Sequence, residues 1–359
     1  MTGLRGKRVY LDWNATAPLR PEARAAMFAA LDVVGNPSSV HAEGRAAKSI
    51  VETARVQVAS LVGCLPEEVV FTSGATEAAA MIGWSFDDIV CGSVEHPCVL
   101  IHARSIYATD RDGRVHMSRY SGLDTEHALQ LVNSETGVIQ PPVPFELGLV
   151  DAVQGIGRIP WRFDEANTKT AIISSHKIGG PKGAGAAIIR RGLDVDPLMV
   201  GGGQEQSRRA GTEDVAAIAG FGAAAEAALR DVEDDAWRRV EKLRNILEYR
   251  LAEAAPKTIF FGQEAERAPN TTCFAVPGWA GETQVMQMDL AGFAVSAGSA
   301  CSSGKVQKAS SVLASMGFEP EIASSAIRVS MGPKTTEAEV TAFADAWIEQ
   351  YRRRQARAA

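Results

Sequence analysis

The sequence predicts an α/β protein, with a larger domain over residues 16–230 and a smaller α/β domain made of 1–15 and 231–359. Three observations carry this. First, three short apolar runs end in polar side chains: 128–132 runs into Asn133-Ser134-Glu135-Thr136-Gly137, 147–150 into Asp151-Ala152-Val153-Gln154, and a run from Thr170 into Ser174-Ser175-His176-Lys177. Strands of a parallel sheet are buried on both faces and read as unbroken apolar runs, and ligands gather at their carboxyl ends. Second, helical and strand patterns alternate along the chain, as parallel crossovers require. Third, a long charged helical pattern at 234–255 separates this alternation from a second one.

The elements follow in order. Residues 9–17 read as a strand entering an Asn/Thr turn, and Pro21 opens a helix where its missing N–H costs nothing. Gly35-Asn36-Pro37-Ser38-Ser39 is turn chemistry. Residues 42–62 form a helix with Ile50, Ala54, Val58 and Leu61 on one face. His41, just ahead of it, reads as a structural or surface histidine. A strand at 68–72 turns through Ser73-Gly74-Ala75-Thr76-Glu77 into a helix starting near Thr76, which reads either as an N-cap or as part of an anion site. A strand at 88–91 leads to Ser93-Val94-Glu95-His96-Pro97, where His96 either caps a helix or stacks on a planar ligand. A hairpin around Asp112-Gly113 spans 108–119. After the lysine come a strand at 185–190, a glycine-rich turn at 201–206 and a helix at 214–227. The smaller domain has strands at 258–261, 271–276, 293–296 and 326–331, and helices at 281–290 and 336–350.

Composition narrows the function. With 46% hydrophobic and 22% charged residues, 359 residues build a sizeable core, and a net charge of -6 argues against nucleic-acid or anionic-membrane partners. Arg352-Arg353-Arg354 reads as a helix end. No apolar run reaches membrane-spanning length and 1–8 lacks the apolar core of a secretion signal, so the expectation is a cytoplasmic protein. Five scattered cysteines without a CxxC pair argue against disulfides and metal ligation. Cys64, Cys91 and Cys273 read as core residues and Cys98 goes either way. Cys301 lies in the small-residue loop Ala297-Gly298-Ser299-Ala300-Cys301-Ser302-Ser303-Gly304, as a reactive or an incidental thiol. Lys177 is an amine at the end of a buried strand, where desolvation favours the nucleophilic neutral form. The sheet places Asp151 near it.

The stretches YLDWNATA, GNPSSVHAEGR, FTSGATE, EHP, VNSETG, DAVQ, SSHKIGGPKG, GGGQE, RAGTE, SAGSACSSG and AIRVSMG occur in order from residue 10 to 332. Together they resemble the cysteine desulfurases of the NifS/IscS type, in the class V aminotransferase family of fold-type I, aspartate aminotransferase-like pyridoxal-phosphate enzymes. That resemblance implies a large domain with a mostly parallel seven-stranded sheet, pyridoxal 5'-phosphate as cofactor, L-cysteine as substrate, a homodimer, and a sulfur-acceptor protein such as an iron-sulfur scaffold. It implies that Lys177 holds the cofactor covalently, Asp151 pairs with the ring nitrogen, Gln154 bonds the phenolic oxygen and His96 stacks on the ring. Ala75, Thr76, Ser174 and His176 would bind the cofactor at its phosphate side, and Thr212 would reach the phosphate of the neighbouring subunit. Arg328 would clamp the substrate carboxylate, with Asn133 and Ser134 near substrate, and Cys301 would take the sulfur as a persulfide. The sequence departs from the family at Ser134, where a second Asn is usual, at Thr16-Ala17, where a Thr pair is usual, and over 140–151, which lacks the usual helix. A selenocysteine lyase, a cysteine or cystine C–S lyase, or a catalytically idle binding platform of the same fold are the alternatives.

Overall fold

The computed structural model describes residues 8–86, 88–117, 125–298 and 309–358. Strand β1 (Val9–Tyr10) is followed by helices α1 (Pro21–Leu31) and α2 (Ala42–Val62). Proline occupies the first turn of α1, and α2 stops at Gly63, whose φ of 73° suits a residue without Cβ. His41 is the N-cap of α2, its Nδ1 accepting from Gly44 N–H at 3.3 Å, which makes its role structural.

Seven strands form the main sheet: β2 (Val69–Thr72), then, after α3 (Ala75–Ser85), β3 (Ile89–Gly92), then, after the single turn α4 (Pro97–Leu100), β4 (Ala103–Tyr107), β5 (Glu126–Gln130), β6 (Leu147–Asp151), β7 (Thr168–Ser174) and β8 (Gly185–Ile189). Their order is β2-β8-β7-β6-β5-β3-β4. Only β8 runs against its neighbours, so six strands deliver their carboxyl ends to one edge. Alternate residues serve opposite cores. Val69, Phe71, Ala171 and Ile173 pack with α2 and with α5 (Val215–Glu233), whereas Val70 and Ile172 pack with α3. Both faces are thus covered, which is why these strands read as continuous apolar runs.

Between β5 and β6 the chain makes its parallel crossover without a helix, as the sequence reading expects for 140–151. Extended chain carrying Pro141, Pro142 and Val143 lies there, beside a groove of about 440 Å³ that Trp161 also lines. Phe145 packs edge-on against His127, with ring centroids 4.9 Å apart.

The second layer holds α6 (Ala236–Ala254), β9 (Ile259–Phe260), β10 (Thr271–Ala275), α7 (Gly281–Leu290), β11 (Phe293–Ala294), β12 (Ser296–Ala297), the short α8 (Ser311–Ser315) and α9 (Pro320–Ala323), β13 (Ala326–Ser330) and α10 (Glu337–Ala358). Strands β12-β13-β10-β9 form an antiparallel sheet, and β11 pairs with β1 instead. The single strand expected at 293–296 is therefore two strands of different sheets. Leu247, Phe274, Phe343 and Trp347 form a separate core with Val9 and Leu11. Just past β1, Asp12 bridges to Ser330. The N-terminal segment thereby passes from the small sheet to the carboxyl edge of the large one.

Candidate active site

Where the carboxyl ends of β2, β3, β5, β6 and β7 meet the small sheet there is a cavity of about 650 Å³, a size suited to a small cofactor or substrate. Each strand contributes its own exit. β2 gives Ser73 and Gly74 and the first turn of α3, with Ala75 and Thr76. β6 gives Asp151 and, one turn on, Gln154. β7 gives Ser174, His176 and Lys177, and the small sheet adds Ser296 and Arg328. His96 and Ser134 line it as well. Cys301 lies outside the described residues.

Lys177 Nζ donates to the main-chain oxygens of Asn14, at 2.6 Å, and Ala15, at 2.9 Å. Asp151 is buried, and Val153 N–H donates to its Oδ1 at 3.0 Å. Burial raises the pKa of this carboxyl, countered by that hydrogen bond and by the charges of His96 and Lys177. It is a group that gains from a cationic or proton-bearing partner. His96 opens onto the cavity by surface area, yet protein surrounds it closely enough that desolvation lowers its pKa, with Lys177 adding to the effect and Asp151 opposing it. Its Nδ1 accepts from Cys98 N–H at 3.3 Å, so His96 does cap α4 while its ring remains at the cavity.

The start of α3, in the same lining, suits an anion. The N-cap of α3 is Gly74 rather than Thr76, and Thr76 lies in the first turn. A Cβ on Gly74 would meet no atom within 4 Å, so the backbone at this helix start is open. Burial, then the charges of Lys177, Lys182 and Arg158, hold His176 down to about 4. A neutral histidine among three cations is matched by a phosphate. Glu77, the nearby carboxylate, is taken up by Arg209 at 2.8 Å and by Ser73 N–H at 2.7 Å.

Pyridoxal 5'-phosphate, which carries a phosphate and a basic ring nitrogen, meets complementary groups for both in this lining, which also holds Lys177.

On the wall contributed by the small sheet, Arg328 is buried, its Nη2 donating to Asp12 at 2.7 Å and its Nη1 to the main-chain oxygen of Ser134 at 3.0 Å. Ser134 thus enters through its backbone. Asn133 does not line the cavity. Its Oδ1 accepts from Glu135 N–H, Thr136 N–H and the Thr136 hydroxyl, and its Nδ2 donates to Val94 O at 3.1 Å, a turn-building role in place of the substrate contact expected. Thr212 is exposed and outside the cavity lining. Burial pushes the thiols of Cys64, Cys91 and Cys98 up to about 12, and that of Cys273 higher still.

Two residues of the site escape the sequence reading. Asn14 sits inside YLDWNATA, so that motif could have pointed to it, but its partners Lys177, Gln154 and Thr271 are distant in sequence. Arg158 follows DAVQ by one turn and carried no signal.

Comparisons agree on the family. The model of the family described as aminotransferase class-V matches residues 9–343. A cysteine desulfurase from Enterobacter agglomerans is 36% identical, covering 93% of this chain and 90% of the relative. The cysteine desulfurase IscS of Dictyoglomus turgidum is 35% identical, covering 92% and 91%. Among solved structures, a NifS-like protein from Rickettsia africae superposes with a TM-score of 0.86 at 31% identity, covering 96% of this chain and 99% of that one.

Proposed function

The chain belongs to the aminotransferase class-V family, and on that premise we propose that it is a pyridoxal-phosphate cysteine desulfurase that converts L-cysteine to L-alanine and passes the sulfur to Cys301. The observation that supports this reading is that the Lys177 amine, the buried Asp151 carboxyl and the anion-suited start of α3 line one cavity. When bound, pyridoxal 5'-phosphate supplies an electron sink for the pair left at the substrate α-carbon.

The residues divide the work around that sink. Lys177 and, by their placement, Thr76, Ser174 and His176 hold the group. Asp151, whose ionised form is disfavoured by burial, is stabilised by a proton on the ring nitrogen and keeps that proton in place. Lys177 Nζ, once released, takes the proton from the substrate α-carbon. The capping bond to Nδ1 leaves the proton of neutral His96 on Nε2, on the cavity side. Arg328 meets the substrate carboxylate while Asp12 keeps the guanidinium in place. The Cys301 thiolate attacks the substrate sulfur: a sulfur–sulfur bond forms, the Cβ–sulfur bond breaks and leaves its electron pair to Cβ, which takes a proton, and Lys177 returns its proton to the α-carbon to complete alanine. Cys301 is left as a persulfide, for hand-over to an acceptor protein such as an iron-sulfur scaffold. The four described cysteines support this assignment, because burial keeps each as a thiol at neutral pH. The exposed Thr212 fits a homodimer in which it reaches the partner's phosphate site, and the separate core of Val9 and Leu11 with Leu247, Phe274, Phe343 and Trp347 fits a smaller domain of 1–15 plus 231–359 beside a larger one of 16–230.

Wild type and Cys301→Ala assayed for alanine from L-cysteine test the proposal, with mass spectrometry of the Cys301 peptide for an added sulfur. The proposal predicts one added sulfur on Cys301 in wild type and loss of alanine formation in the variant. A variant with full activity on cysteine sinks the persulfide mechanism and leaves a C–S or selenocysteine lyase of the same fold.

A further inference from the structure

Arg158 is 3% exposed and lies behind the cavity wall. Burial, with the charge of Arg328 adding to it, brings its pKa down to about 9. Gly157, at φ 69°, turns the chain inward just before it, and a Cβ there would come within 2.9 Å of Ala228. Among the described residues Arg158 makes no ion pair. Its partners are oxygens of three site residues: Nη1 donates to Gln154 Oε1 at 2.6 Å and to Asn14 Oδ1 at 2.7 Å, and Nη2 to the main-chain oxygen of Lys177 at 3.0 Å.

A guanidinium only donates, whereas a side-chain amide is donor at one end and acceptor at the other. Facing Arg158 therefore fixes which way round two amides stand. Gln154 must turn Oε1 to the arginine, which leaves Nε2 to donate to Asn14 O at 3.0 Å, the same oxygen that accepts from Lys177 Nζ. Asn14 must turn Oδ1 inward, which sends Nδ2 to Thr271 Oγ1 at 2.9 Å and to Ser134 O at 3.1 Å. The family resemblance implies that Gln154 bonds the cofactor's phenolic oxygen but leaves its orientation open, and the burial of an unpaired cation has no account in packing alone.

We propose that Arg158 is a positioning residue of this site: through Gln154 and Asn14 it presents an amide N–H, not an amide oxygen, to the acceptor oxygen of the bound cofactor. A donor there favours the ionised form of the lysine-linked cofactor and lowers the pH at which its visible band titrates.

The test is a spectrophotometric pH titration of the cofactor-loaded protein without substrate, for wild type, Arg158→Met, Arg158→Lys, Gln154→Leu and the double variant Arg158→Met/Gln154→Leu. The expected midpoint rises by about one pH unit in Arg158→Met, as loss of a charge-assisted contact does, is partly restored in Arg158→Lys, and rises no further in the double variant than in Gln154→Leu. An unmoved midpoint in folded Arg158→Met makes the arginine merely structural and overturns the proposal, and so do additive shifts in the double variant. Should Arg158→Met not fold, Arg158→Gln carries the same test, since an amide can face Gln154 either way round. The inference rests on the cofactor reading of the cavity. A wild type without a visible band removes that reading, whereas a normal wild-type band with an unmoved variant midpoint removes only the role of Arg158.

Discussion

Asn14 is where the polar contacts of the cavity converge. Its main-chain oxygen takes bonds from Lys177 Nζ and Gln154 Nε2, and its side chain joins Arg158, Asn270, Thr271 and Ser134. Nothing in a linear sequence links these positions, because only the meeting of the two layers brings them together. Lys177 and Asp151 stand out in the sequence because each ends an apolar run, whereas Asn133 bonds its own neighbours in VNSETG, a local role that the motif alone does not separate from a substrate contact. His176 yields a pH prediction with a definite sign. Its folded pKa of about 4 lies below the ordinary value of 6.5, so the unfolded chain binds the proton first as pH falls, and its contribution to stability is lost from about 6.5 down to about 4. His96 and His127 shift in the same direction. Urea midpoints of the apoprotein between pH ~7 and ~5 should therefore drop more in wild type than in His176→Gln, and equal drops would show that His176 titrates normally. Added inorganic phosphate should raise the His176 imidazole titration seen by NMR, because an anion at that end favours the charged ring.

At the scale of elements, the segment Gln204–Ser207 is the most constrained turn of the site's surroundings. Glu205, Gln206 and Ser207 have φ of 47°, 59° and 66°, left-handed values that cost side-chain-bearing residues energy. The buried Glu205 offsets this: both carboxylate oxygens receive Arg55 at 2.8 Å, and Phe71 N–H on β2 adds a third bond at 2.8 Å. Arg55 also stacks over the Phe71 ring at 4.9 Å. Glu205→Ala would strip the buried Arg55 guanidinium of its buried partner and leave it only the half-exposed Glu52 at 3.1 Å as a carboxylate partner, so the predicted loss is about 3 kcal/mol in denaturant unfolding. A loss under about 1 kcal/mol would show that solvent replaces the pair. In the sequence this stretch reads only as a glycine-rich turn, because the ion pair that fixes it spans 150 residues. Elsewhere the elements that ran on beyond expectation, α5 to Glu233 and α10 to Ala358, end in charged sequence that reads as loop until packing is known. β4 was missed because three of its five residues are exposed and it lies at the sheet edge. The absent crossover helix before β6 was legible, since PPVPF leaves no room for one.

For the whole molecule, the decisive feature is that the cavity belongs to both layers. The large sheet supplies Lys177, Asp151 and the helix start, the small sheet supplies Arg328, and the segment after β1 ties them through the Asp12–Arg328 pair at 2.7 Å. The family fold was legible from the order of its motifs, but this junction was not, because Asp12 and Arg328 pair only once both sheets exist. The order of six parallel strands makes the junction possible by bringing their carboxyl ends to a single edge. Among the described residues no helix is long and apolar enough to cross a membrane. The visible absorption spectrum of the protein loaded with pyridoxal 5'-phosphate, before and after L-cysteine, tests the central claim most directly. The account predicts a band at the edge of the visible that depends on Lys177 and that shifts or fades when L-cysteine is added, with alanine formed. A band absent from wild type, unchanged in Lys177→Ala, or unmoved by L-cysteine would contradict it.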